Sequence, residues 1–127
     1  MKTTYKDIFE LCDEIRETCF SLHKYLRHGH VESVYENGLK NRLFKKGFEV
    51  EAQFPLEVRD EDGTPLGSFF ADLFVERGLI IELKAVSRLV DAHVAQLLGY
   101  LRATGIEQGL LINFGSPKLA VRKYILS

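Results

Sequence analysis

Residues 69–85, FFADLFVERGLIIELKA, constrain the fold of this chain more than any other stretch. Two short apolar runs flank Arg77 and Gly78, and each holds charged groups where a core strand ordinarily carries none. Asp72 interrupts the first run; Glu82 and Lys84, with Leu83 between them, interrupt the second. Strand side chains alternate, so Glu82 and Lys84 project from one face and Leu83 from the other. The loop decides where Asp72 points. A three-residue loop of Glu76, Arg77 and Gly78, with Gly78 left-handed, pairs Val75 with Leu79 and sets Asp72 opposite Glu82. A two-residue Arg77-Gly78 turn would slip the register and set Asp72 against Leu83. The three-residue loop is the expectation. It gathers two carboxylates and an ammonium on one surface, with cross-strand Cβ atoms about 5 Å apart.

Carboxylates that close repel one another unless a positive charge lies between them. Hard divalent cations suit oxygen ligands, and Mg²⁺ is typically held by one or two carboxylates plus waters and phosphate oxygens. The plainer alternative is a surface patch in which Lys84 pairs with Asp72 or Glu82, an arrangement that contributes little.

At 127 residues, 46% apolar and 28% charged, the chain reads as one soluble domain spanning 1–127 with a single core. No apolar run approaches the roughly 20 residues of a membrane span. MKTTYKDIFE lacks the apolar centre of a signal peptide, so the expected location is the cytoplasm. The net charge of −1 argues against a strongly basic nucleic-acid binder, and any phosphate contact must come from a local patch or a bound metal. Cys12 and Cys19 are the only cysteines. On one helix their Cα atoms lie about 10 Å apart, too far for a disulfide. Cys19 and His23 have the i, i+4 spacing of a helical metal pair, but structural zinc sites show four ligands, so buried core residues are the preferred reading.

Residues 4–27 read as an amphipathic helix with Ile8, Leu11, Ile15, Cys19, Leu22 and Leu26 on one stripe and Thr4 with Asp7 as its N-terminal cap. After Gly29 a second helix is expected from about Val31 to Lys46, stopped by Gly47, with Val31, Val34, Tyr35, Leu39 and Leu43 facing inward. Glu32 enters its first turn, where an acidic residue is favoured by the helix dipole alone. Phe48–Arg59 is strand material broken near Pro55, and 60–65 (DEDGTP) is a turn. A helix over Asp91–Thr104, closed by Gly105, buries Val94, Leu97, Leu98 and Leu101. Beside that stripe runs a polar row, His93, Gln96 and Tyr100. Leu110–Phe114 is a compact apolar strand, and Lys118–Leu126 is an edge strand with Lys118, Arg122 and Lys123 near solvent. The expected order is α-α-β-β-β-β-α-β-β, an α/β layered domain.

These residues carry a resemblance. Asp72, a turn, then Glu82-Leu83-Lys84 resembles the D…(D/E)xK signature of the PD-(D/E)XK nuclease superfamily. Gln96-Leu97-Leu98-Gly99-Tyr100 is similar to the QxxxY helix motif of its RecB-type members. Gly29-His30-Val31-Glu32-Ser33-Val34-Tyr35 matches the motif that names the GxxExxY proteins, a small PD-(D/E)XK-like family. The three motifs occur in the family's order and span about residue 5 to the C-terminus. The proline of the "PD" element is missing, since Ala71 precedes Asp72.

The resemblance implies a mixed central β-sheet flanked by helices and a Mg²⁺-dependent nuclease site, with Mn²⁺ as a substitute. It implies that Asp72, Glu82 and the Leu83 carbonyl hold the metal, with Glu32 reaching it directly or through water. Lys84 would orient or deprotonate the attacking water, Gln96 and Tyr100 would position a phosphate or the water, and His93 would support them. The implied partner is nucleic acid, not a membrane; a homodimer or protein partner is left open. DNA versus RNA, strandedness, sequence preference and endo- versus exonuclease action are also left open. The alternative is a non-catalytic module of the same fold that binds nucleic acid or a protein.

Overall fold

The structure is a computed structural model describing residues 7–126. Helix α1 (Ile8–Leu26) starts at Asp7, whose carboxylate accepts the Glu10 N–H at 3.0 Å. Thr4, expected to share that cap, lies outside the described residues. Leu11, Ile15, Cys19 and Leu22 are buried as their spacing requires. Helix α2 (Glu32–Lys45) buries Tyr35, Leu39 and Leu43 and ends before Gly47, at φ 92°. Val31 was expected inward but is 68% exposed. It is the extended N-cap, not a helical residue, so it falls off the inward stripe.

Strands β1 (Val50–Arg59), β2 (Pro65–Val75) and β3 (Leu79–Lys84) precede helix α3 (Asp91–Thr104); β4 (Gln108–Asn113) and β5 (Ala120–Ile125) follow it. They form one mixed sheet in the order β1-β2-β3-β4-β5, in which β3 and β4 are parallel and the remaining neighbours antiparallel. Helix α3 is the crossover that a parallel pair requires. The expected break at Pro55 does not occur: β1 runs through it, with Pro55 facing Phe70. β1 lies on the sheet edge, where a missing N–H need not cost a ladder bond. The order is therefore α-α-β-β-β-α-β-β. Among the described residues no helix is long and apolar enough to cross a membrane.

The hairpin register is the expected one: Val75 faces Leu79, Phe74 faces Ile80 and Leu73 faces Ile81. The left-handed residues are instead Glu76 and Arg77, both at φ 51°. Their side chains offset that cost by docking on β1. Glu76 accepts the Glu49 N–H at 3.0 Å, and Arg77 pairs with Glu51 at 2.7 Å while lying over the rings of Phe54 and Phe74.

Two cores result. Leu73, Val75, Leu79, Ile81 and Leu83 face α1 and α2, whereas Ala71, Phe74, Ile80 and Leu111 join Leu97 and Leu101 of α3. β2 pairs with β3 no further than Leu73, after which β1 and β2 continue as a two-stranded ribbon. At that fork Gln53 takes φ 50°. Val50 and Ala52 before it pack on the first core; Phe54 and Leu56 after it pack on the second. The ribbon thus crosses the sheet and comes to rest on α3, where Phe69 stacks on Tyr100.

Candidate metal and phosphate site at the strand fork

The fork frees Asp72 from the β2–β3 ladder. Its Oδ2 accepts the Leu83 N–H at 2.8 Å, in place of the backbone partner that a continuing ladder would supply. This bond locks the Asp72 carboxylate beside Glu82. The Lys84 carbonyl accepts from Phe114 on the β4 side, so strand alternation turns both the N–H and the C=O of Leu83 toward the fork. Glu82 is only 5% exposed, and among the described residues its Oε1 has no hydrogen-bond partner. Burial first, and the neighbouring Asp72 second, push its carboxyl up to about 9, against a smaller opposing pull from Lys84.

Lys84 shares the Glu82 face. It forms no ion pair with either carboxylate among the described residues, so the simple surface pair is not what the fold builds. Its Nζ donates to Gln96 Oε1 at 3.1 Å. Helix α3 therefore delivers one member of its polar row to the strand lysine. Tyr100, one turn on, has its phenol raised by burial first and the nearby Glu82 second, against the opposing pull of its bond to Gln96. His93, expected in support, turns back to the helix start: its Nδ1 accepts the Val90 N–H at 3.1 Å, so its role is that of a cap.

Glu32 enters from α2. Its carboxyl is raised by burial and by Asp72, while Lys84 opposes the shift. It feels the Asp72 charge without completing a ligand cluster: among the described residues no three His, Cys, Asp or Glu side chains converge to hold a metal. The motif around it has a mechanical explanation. Gly29 sits at φ 117°, and the buried Tyr35 hydroxyl donates to Arg27 O at 2.6 Å and accepts the His30 N–H at 3.2 Å. Tyr35 also stacks on Phe114. Gly29 makes the turn, Tyr35 pins it, and Glu32 is presented to the fork.

Two members of the site escaped the sequence reading. Gln53 Nε2 donates to Glu36 Oε1 at 2.6 Å and to Asp72 Oδ1 at 3.4 Å, linking α2 to β2. Glu36 is raised by burial, and its bond to Gln53 opposes that. Its place one helical turn after Glu32 was a usable signal. Gln53 offered none, because its role depends on the backbone kink. The Cys19–His23 pair forms no site: Cys19 is a fully buried core residue, and His23 Nε2 bonds Ser116 O at 3.0 Å.

The arrangement suits a small cation. Two adjacent carboxylates, one buried with an oxygen unsatisfied among the described residues, and a backbone carbonyl edge offer hard oxygen donors, while the Lys84 ammonium is held aside by Gln96. The family model described as the PD-(D/E)XK nuclease superfamily matches residues 9–124 of the chain. No curated protein and no solved structure matches it significantly.

Proposed function

This chain belongs to the PD-(D/E)XK nuclease superfamily, and on that premise we propose that it hydrolyses phosphodiester bonds of DNA or RNA with Mg²⁺, for which Mn²⁺ can substitute. The observation that carries the reading is the Glu82 carboxylate, buried against Asp72 with one oxygen unpartnered. A buried carboxylate pair is costly unless something positive joins it.

Asp72, Glu82 and the Leu83 carbonyl would hold the ion, with Glu32 acting through water. When bound, the cation lowers the pKa of the attacking water and offsets charge on the phosphate. Lys84 keeps two further N–H donors beyond the one given to Gln96, enough to orient the water and bind a phosphate oxygen. Gln96 fixes the direction of that ammonium. Tyr100, held by its stack on Phe69, donates its hydroxyl to the substrate.

The deciding experiment is cleavage of single- and double-stranded DNA and RNA in Mg²⁺ or Mn²⁺, with Lys84→Met compared to the parent. Lys84→Met should retain metal-dependent thermal stabilisation and lose cleavage by roughly 10²–10³-fold, the effect of removing one electrostatic stabiliser. Unchanged cleavage would reject the role of Lys84. A parent inert on every substrate would favour the non-catalytic module.

A further inference from the structure

A cluster of cations lies beyond the fork, at the same end of the sheet. The last turn of α1 and the β4–β5 loop enclose a groove of about 560 Å³, bordered by Phe20, Lys24, Arg27 and Lys118. Among the described residues no carboxylate lines it. Its floor is built: His23 is 8% exposed and bonds Ser116 O, and the Ser116 hydroxyl donates to Lys118 O at 2.7 Å. Among the described residues the Lys24, Arg27 and Lys118 head groups have no hydrogen-bond or ion-pair partner. The adjacent groove between α1 and α2 differs. There Arg42 donates to Ser21, and Lys46 is engaged by Glu14 and Thr18.

Arg27 adds an independent observation. It sits at φ 63°, ψ −179°, backbone territory that is essentially glycine's. No hydrogen bond or ion pair of its side chain offsets that strain among the described residues. Its carbonyl accepts from Tyr35, which ties this residue to the turn that presents Glu32. The loop carrying Lys118 follows β4, whose Asn113 pairs with Lys84. The groove therefore abuts the carboxyl ends of the parallel strands, where ligands of open α/β sheets bind.

We propose that this groove binds a single-stranded segment of the nucleic acid whose phosphodiester is cleaved at the fork, with phosphates on Lys24, Arg27 and Lys118 and a base against Phe20. The proposal rests on the hydrolase reading for its choice of ligand. Three unpaired cations match a polyanion, and Phe20, 48% exposed on the rim, offers a stacking surface. An exposed ring beside cations suits an unpaired strand, whose bases are free to stack, better than a duplex.

The test is fluorescence anisotropy of labelled oligothymidylate with the full chain in EDTA, so that binding is read without cleavage. The Lys24→Gln/Arg27→Gly/Lys118→Gln variant should bind about tenfold or more weakly, and the slope of log affinity against log salt should shrink by about 2, the share of three phosphate contacts on a single strand. Arg27→Gly alone should melt no lower than the parent, since glycine relieves the strained backbone, yet bind more weakly. Equal binding by parent and triple variant would overturn the proposal, as would a parent that does not bind. Equally tight, groove-dependent binding of a blunt duplex would overturn the single-strand assignment. Displacement by polyglutamate as effective as by oligonucleotide would reduce the groove to a general anion surface and overturn it too. Groove-dependent binding by a parent that cleaves nothing would support the groove while rejecting the hydrolase.

Discussion

Replacing Glu82 with glutamine separates the cost of the site from its use. In the metal-free protein the Glu82 carboxyl is raised from 4.5 to about 9, mainly by burial. A raised carboxyl binds its proton more tightly when folded. Stability is therefore fully present below pH 4.5 and is lost as pH rises toward 9. At about 1.4 kcal/mol per pH unit, the penalty at pH 7 reaches about 3 kcal/mol. Glutamine keeps the shape, removes the charge and offers an amide donor to Asp72. Metal-free Glu82→Gln should thus be more stable than the parent at pH 7 by up to about 3 kcal/mol, or on the order of 10 °C in Tm. The gain should shrink toward zero by pH 4.5. Urea denaturation in EDTA across pH 4.5–9 measures both slopes. Added Mg²⁺ should then stabilise the parent and leave the variant unmoved. A variant that is less stable than the parent at pH 7, or a difference that does not change with pH, would refute the reasoning.

Millimolar Mg²⁺ should raise the Tm of the parent through mass action and leave Asp72→Asn unchanged by thermal shift; equal shifts would point to nonspecific ion effects. Tyr35→Phe keeps the stack on Phe114 but strands Arg27 O and His30 N–H, which should cost about 1–2 kcal/mol in urea unfolding. Gly115→Ala would place a Cβ 2.2 Å from the Val86 nitrogen, so it should lose about 1–3 kcal/mol or more, read as a lowered Tm. Gly99→Ala meets nothing within 4 Å on an exposed helix face and should instead gain about 0.5–1 kcal/mol.

The periodic features of this protein were legible from residue order. Helix stripes such as Leu11, Ile15, Cys19 and Leu22 declare themselves because burial repeats with the backbone period, and α3 from Asp91 to the cap at Gly105 follows from the same rule. The hairpin register was also legible, since the three-residue loop pairs Val75 with Leu79 as observed. The superfamily followed from motifs in the right order, and the family model that matches residues 9–124 is that of the same PD-(D/E)XK superfamily. Tertiary structure alone decided the rest. Pro55 signalled a break that edge position made unnecessary, and Arg77 took a left-handed backbone because Glu51 and two rings held its side chain. Gln53 acquired its place beside Asp72 and Glu36 only where β2 leaves β3. Residue order encodes local periods and short-range turns. Where a ribbon departs from a sheet, and which buried oxygen is left without a partner there, depends on packing between segments far apart in the chain.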